Sequence, residues 1–240
     1  MERLEKESQY IEELKKYDTP SITNVVATYP RDEELCLGLY HPWKGKWYTD
    51  QTLKCMYPEL GRMAGYVVTV TFGLPDPAFK RRSFLDLYKA IEAAPKPVIL
   101  AIKQNFPEEY KKKNGLCGGN MMTAFKSLGV AGVLSDGPSR DLDEVREIGI
   151  QYMLTGVCAG HGDFSIMEIN TPVEICGMDV APGEMVHMDE NGAVKFPREN
   201  LAQIVELCEK LRKQEERKQS LLRQFHDAET LAKIMSGTYE

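Results

Sequence analysis

The order of apolar runs along this chain predicts an α/β fold of parallel strands, completed by a β-meander and a C-terminal helical extension. Three observations predict it. Between residues 65 and 158 short β-branched runs alternate with stretches of helical period, as successive β–α units require. After residue 172 the helical period disappears and hairpin turn signals replace it. From Asn200 onward apolar residues return at helical spacing and continue to the end.

The elements follow in order. Tyr10, Ile11, Leu14 and Tyr17 form a 3.6-period face over Tyr10 to Lys16, and Asp18-Thr19-Pro20-Ser21 supplies cap chemistry for a second short helix over Ile22 to Ala27. Pro30 to Pro58 is irregular and contains both tryptophans, Trp43 and Trp47, which predicts a long loop or hairpin that buries aromatics. Gly65 to Phe72 is rich in β-branched residues and is closed by Gly73, Pro75 and Pro77, so it is a strand. Phe84 to Ala94 is a helix, and Val98 to Ile102 is a strand apolar on both faces. Lys111-Lys112-Lys113 is a basic run expected in a solvated loop. Met121 to Leu128 is helical, Val130 to Leu134 a strand, Leu142 to Ile148 helical and Tyr152 to Leu154 a strand. Pro172 to Val180 turns at Gly177, and Asp189-Glu190-Asn191-Gly192 joins Met185–Met188 to Ala193–Phe196 as a hairpin. The C-terminal part is one long amphipathic helix or two, its apolar stripe interrupted by charges from Arg212 to Lys218. The second stripe, Leu221 to Ile234, suits either the chain's own core or a neighbouring subunit. Residues 1–198 are read as one domain and 199–240 as a helical extension.

Composition narrows the function. With 42% hydrophobic residues in 240, the chain has material for one substantial core. A net charge of -6 gives no global positive field, so nucleic acid is not an expected partner. The apolar runs are far shorter than the roughly 20 residues of a membrane span. The mixed acidic and basic start, Glu2 to Glu7, lacks the pattern of a secretory leader, so a cytoplasmic address is expected. Six cysteines, widely spread without a C-x-x-C pair, are expected to be reduced thiols, mostly in the core, and not a zinc site.

Two segments carry candidate chemistry, both where predicted strands end. Gly115-Leu116-Cys117-Gly118-Gly119-Asn120 runs into a helix whose first N–H groups lack internal partners, which makes an anion cradle over Gly118, Gly119, Asn120 and Met121. Taken alone this signal is weak, and a plain tight turn with Asn120 as an ordinary N-cap is the favoured reading of the same residues. It has neither the Walker A lysine nor G-x-G-x-x-G spacing. Asp136-Gly137-Pro138-Ser139-Arg140-Asp141 places a guanidinium beside a carboxylate at a strand's carboxyl end, where α/β sheets bind ligands. The alternative is a capping box, with Asp141 as N-cap, Glu144 three residues on and Arg140 solvated. His161-Gly162-Asp163 is a weaker candidate for proton transfer. His41, His187 and His226 have no titratable neighbour at motif spacing.

The run Gly118 to Ala124, then Leu128 to Arg146 with its D-G-x-x-R-D core, resembles the family of the regulator of ribonuclease activity A, which includes metal-dependent 4-hydroxy-4-methyl-2-oxoglutarate aldolases. Asp18 to Ile22, the Gly65 strand, Pro172 to Gly177 and Val180 to Glu184 extend the resemblance to roughly residues 14–198. It implies a three-layer β/β/α swivelling domain, assembled as a trimer or hexamer with sites near subunit boundaries. It further implies that Arg140 holds the pyruvyl part of a small 2-oxo acid, that Asp141 holds a divalent metal, Mg²⁺ or Mn²⁺, and that the glycine-rich turn donates N–H groups to the substrate carboxylate. The implied activity is cleavage of a 4-hydroxy-2-oxo acid to pyruvate, with oxaloacetate decarboxylation through the same enolate. One position departs from the aldolase pattern: where those enzymes carry an acid that orients a water, this chain has Gly119, followed by Asn120. His161 or Asp163 is a substitute on this reading. The alternative function is a non-catalytic, protein-binding regulator. Methyl transfer to a quinone, a name attached to such sequences, needs a nucleotide loop that is not found.

Overall fold

The computed structural model describes residues 2–27, 34–78 and 80–239. Four strands run parallel at its centre: β2 (Met63–Gly73), β3 (Val98–Asn105), β4 (Val130–Ser135) and β5 (Gln151–Leu154). β1 (Lys54–Cys55) pairs antiparallel with β5 at one edge. Beyond β2, its first residues pair with β9 (Met185–Asp189) and its last with β6 (Ser165–Ile169), and β10 (Gly192–Phe196) closes the order beside β9.

Alternation along the strands divides the interior. Val68, Val70, Phe72, Leu100 and Ile102 face α3 (Phe84–Ala93), α5 (Gly119–Ser127) and α6 (Leu142–Ile148), burying Leu87, Ile91, Phe125 and Val145. Val67, Ile99, Ala101, Leu134 and Met153 face the other way, onto the hairpin of β7 (Val173–Ile175) and β8 (Met178–Val180). Helices, sheet and hairpin make three layers, the β/β/α arrangement. The turn between β7 and β8 uses Cys176 and Gly177, both at positive φ (46° and 83°), which suits a tight hairpin.

A further cluster joins both ends of the chain. α1 (Glu2–Leu14) and α2 (Thr19–Val26), capped by Asp18 accepting from the Ser21 N–H at 2.9 Å, bury Ile11, Leu14, Ile22 and Val25 against Leu201, Ile204 and Cys208 of α7 (Leu201–Leu222). α8 (Ala228–Ser236) folds back on α7 and buries Ile234. No helix among the described residues is long and apolar enough to cross a membrane.

Several expectations change. The charges from Arg212 to Lys218 do not break α7, because Arg212 pairs along the helix with Glu209 at 2.8 Å and Glu216 at 2.5 Å; the break falls after Leu222. Trp47 is buried and stacks on Tyr40, but Trp43 is 89% exposed, so only one tryptophan is internal. The start of that irregular segment, residues 30–33, lies outside the described residues. β6 has no counterpart in the sequence reading. It forms where β2 outruns β9 and leaves an edge to be paired.

Candidate active site

The parallel strands deliver two turns to the same end of the sheet. β3 leads through the short helix α4 (Glu108–Lys111) to the glycine turn and α5, and β4 leads to the 136–141 turn and α6. Asp136 anchors them. Its Oδ1 accepts from the Gln104 N–H at 2.7 Å, and its Oδ2 takes ion pairs from Lys103 at 2.7 Å and Lys111 at 2.8 Å. Lys111 is therefore not a solvated loop lysine: it ties α4 to the end of β4.

A buried hydroxyl network joins the turns. The Tyr152 hydroxyl lies 2.6 Å from Ser139 Oγ and 2.9 Å from the Cys117 carbonyl, and Ser139 Oγ donates to the Leu116 carbonyl at 2.7 Å. Burial holds the Tyr152 phenol well above its ordinary pKa, so it stays a donor. Burial likewise raises the Cys117 thiol, which keeps it protonated and unsuited to nucleophilic work. The Ser139 N–H donates to Gly156 at 3.1 Å and its carbonyl accepts from Cys158 at 2.9 Å, which brings in the loop after β5.

Arg140 and Asp141 follow directly and lie against the glycine pair. The Gly119 N–H donates to Asp141 Oδ2 at 3.0 Å. Arg140 Nε stands 3.5 Å from the same oxygen, and this nitrogen is buried without a hydrogen-bond partner. The fit depends on glycine. A Cβ on Gly118 would come within 2.1 Å of Asp141 Oδ2 and 3.1 Å of Arg140 Nε, and one on Gly119 within 1.8 Å of Glu144 Oε2. Two carboxylates and a guanidinium thus converge on one step of backbone at the start of α5.

The capping box, one of the two readings of Asp141 and Glu144 from the sequence, does not form. Asp141 is left-handed (φ 58°) and makes no side-chain cap; its carboxylate points across to α5. Asn120 is not an N-cap either, since α5 begins at Gly119 with Gly118 in the cap position, and Asn120 is exposed. Its N–H and that of Met121 have no acceptor among the described residues, whereas the Gly119 N–H is already engaged by Asp141. The anion cradle is thus narrower than Gly118 to Met121. His161 is exposed, with its ring against Phe164 and Nδ1 2.9 Å from the Gly162 carbonyl, and no hydrogen bond or ion pair joins it or Asp163 to Arg140 or Asp141.

His187 has closer company than the sequence reading gave it. It is fully buried, with Nδ1 3.0 Å from Thr19 Oγ1, while Asp189 Oδ2 accepts from the Thr19 N–H at 2.8 Å and lies 3.9 Å from Arg62. The signal was present: residues 187 and 189 fall on one face of a strand. The cavity of about 650 Å³ lined by Thr19, His41, Trp43, Trp47 and Tyr48 is formed by different elements from those carrying Arg140 and Asp141.

The donor set suits a hard divalent ion. Among the described residues no three His, Cys, Asp or Glu side chains gather as ligands. A Mg²⁺-type ion needs only one or two carboxylates and keeps several waters. Asp141 and Glu144 offer those oxygens, and the unpartnered Arg140 Nε and the Asn120 and Met121 N–H groups are donors suited to an organic anion beside it.

A family model described as Aldolase/RraA, RraA-like, matches residues 33–195. The chain is 31% identical over 108 residues to an uncharacterised protein of Methanocaldococcus jannaschii, covering 45% of this chain and 52% of that one. It is 30% identical over 86 residues to a 4-hydroxy-4-methyl-2-oxoglutarate aldolase of Thermus thermophilus, covering 35% and 52%. The chain thus spans about half the length of these curated relatives. Among solved structures, an uncharacterised protein of Pseudomonas syringae pv. tomato aligns over 94% of this chain and 93% of its own at 18% identity, with a TM-score of 0.70. Streptomyces coelicolor RraAS2, described as an unusual member of the RNase ES inhibitor RraA protein family, aligns over 88% and 97% at 21% identity, with a TM-score of 0.65. These two likenesses establish the fold.

Proposed function

Because the chain belongs to the RraA-like family, which includes 4-hydroxy-4-methyl-2-oxoglutarate aldolases as well as non-catalytic regulators, we propose that it is a divalent-metal-dependent lyase releasing pyruvate from a small 4-hydroxy-2-oxo acid. Oxaloacetate decarboxylation belongs to the same proposal. The observation that carries it is the buried Arg140 Nε, which has no hydrogen-bond partner and is ion-paired with Asp141 Oδ2 at 3.5 Å over the glycine turn.

Asp141 would hold a Mg²⁺ or Mn²⁺ ion, which when bound would supply Lewis acidity toward the 2-oxo group. The chain's residues do the rest. Arg140 directs its guanidinium at the oxygen on which negative charge grows as the carbon–carbon bond breaks, and the pyruvate enolate is the common product of retro-aldol cleavage and loss of CO₂. The Asn120 and Met121 N–H groups, at the positive end of α5, take the substrate carboxylate. Tyr152 and Ser139 position Arg140 and do not touch substrate. A trimeric or hexameric ring is part of the same reading.

The test is pyruvate release from oxaloacetate and from 4-hydroxy-4-methyl-2-oxoglutarate, with Mg²⁺ or Mn²⁺ and after chelation, for wild type and Asp141→Ala. Turnover that needs the ion and the aspartate is expected. Equal slow turnover in every arm refutes the proposal. One observation favours the second reading, a protein-binding regulator: beyond Leu211 most of α7 is exposed and densely charged. A folded protein without turnover that captures a partner in a salt-dependent way would support it.

A further inference from the structure

The cavity of about 650 Å³ opens where the start of α2, the loop of residues 41–49 and the turn between β9 and β10 meet. Its walls are fixed by the chain itself. The Thr49 N–H donates to the Ala193 carbonyl at 2.9 Å, and Thr49 Oγ1 accepts the Ala193 N–H at 3.0 Å. The Lys195 N–H donates to the Trp47 carbonyl at 3.1 Å, while Trp47 lies flat on Tyr40 and its Nε1 donates to the His41 carbonyl at 3.1 Å. The loop is thereby pinned to β10 and folded over one buried indole. The second indole is left out: Trp43 lines the cavity yet stands almost wholly in water, although a side chain of that apolar area is costly to leave there. Tyr48, also exposed, lines the cavity and meets the Trp47 ring edge-on at 4.5 Å.

The lining sets the charge of a guest. Among the described residues no Asp, Glu, Lys or Arg side chain faces the cavity, so an ion entering it loses water without gaining a counter-charge. It also sets the number of polar groups. Thr23 Oγ1 is spent on the Pro20 carbonyl at 2.7 Å, Thr49 Oγ1 on Ala193, and Asn191 Nδ2 on Asp189 at 3.1 Å. Trp43 Nε1, the Tyr48 hydroxyl, His41 Nε2 and Asn191 Oδ1 make no hydrogen bond with any described residue. His41 Nδ1 accepts the Trp43 N–H at 3.1 Å, which puts the proton of the neutral imidazole on Nε2 and makes that nitrogen a donor. A sugar, with a hydroxyl on nearly every carbon, needs more partners than these. A flat ring with one or two polar groups at its edge does not.

We infer that this cavity binds an uncharged aromatic or heteroaromatic ring of phenol or indole type, stacked on Trp43 and hydrogen-bonded at its rim by His41 or Asn191. Binding there is independent of the lyase reading, because none of these residues belongs to the turns that carry Arg140 and Asp141.

Titration of the full chain with phenol and with indole, by calorimetry and ligand-observed saturation-transfer NMR, tests it. Saturable binding at or below about 1 mM is expected, the range open to compounds of so few atoms. Trp43→Ala should weaken it about tenfold with the melting temperature held, and Trp43→Phe, which keeps a ring, should retain most of it. Benzoate should bind about tenfold or more weakly than phenol, and Asp141→Ala should bind both rings as wild type does. Absence of saturable binding, the result if a second copy of the chain covers the cavity, overturns the inference. So does unchanged affinity in Trp43→Ala, benzoate bound as tightly as phenol, or methyl β-glucoside bound in preference to either ring.

Discussion

Oδ2 of Asp141 accepts the Gly119 N–H at 3.0 Å, so the carboxylate that faces the candidate cation site also closes one amide of the cradle beneath it. The bond is possible because nothing projects from Gly118, where a Cβ would lie 2.1 Å from that oxygen. Gly118 has φ -76°, open to any residue, so alanine there imposes no backbone strain. Gly118→Ala is therefore expected to fold with a nearly unchanged melting temperature while its methyl displaces Asp141. Mn²⁺ affinity and pyruvate release should fall together, by tenfold or more as an order of magnitude, in titration and coupled pyruvate assays.

Arg140 invites a charge-preserving test. Lysine keeps one positive charge but has no nitrogen at the position of Nε, the atom buried without a partner. Arg140→Lys should lose about 10²–10³ in kcat, as removal of a charge-stabilising donor commonly does, with Mn²⁺ affinity largely kept. Near-wild-type turnover would show that only charge matters.

Tyr152 reaches no candidate ligand group, yet its hydroxyl bridges Ser139 and Cys117 across both turns. Tyr152→Phe leaves those buried acceptors short of a donor, which costs about 1–3 kcal/mol in urea unfolding. Because Ser139 adjoins Arg140, kcat should fall as well. A kcat unchanged alongside that loss of stability would separate the network from the site.

Acid should lower the protein's stability over two pH windows. Burial, the largest cause, pushes the His187 pKa from 6.5 down to about 4, against the opposing pull of Asp189. The unfolded chain therefore takes up its proton first, and this contribution to stability is complete above pH 6.5 and lost as pH falls to about 4. Glu7 is held down from 4.5 to about 2, chiefly by its hydrogen bond from Arg198, with Tyr66 and Arg3 adding to it, so its contribution is present above pH 4.5 and lost toward pH 2. Denaturant midpoints from pH 8 to pH 3 should show both slopes. His187→Gln should flatten the upper one and leave the lower.

The sequence disclosed the parallel strands because glycine, proline and β-branched residues punctuate residues 65–154 so regularly. It disclosed the Arg140-Asp141 pair because the motif is local. It concealed where Glu144 goes. Aspartate three residues before glutamate is a normal capping signature, and only the left-handed φ of Asp141, a conformation the residue type tolerates without advertising, redirects both side chains toward α5. Lys111 read as a solvated lysine for a similar reason: its partner Asp136 lies in a different β–α unit. β6 was invisible because the need for it lies in β2, where pairing with β9 stops at Tyr66.

The Ser139–Tyr152 tie is complete within a single chain and involves no bound molecule. The two turns consequently reach their separation during folding, and under the proposed function the capture of a small acid would leave little loop freedom to be frozen out. Affinity at such a preset site would track the fit of a few polar atoms, and lengthening the acid by one carbon should be felt more sharply than in a site that closes around its guest.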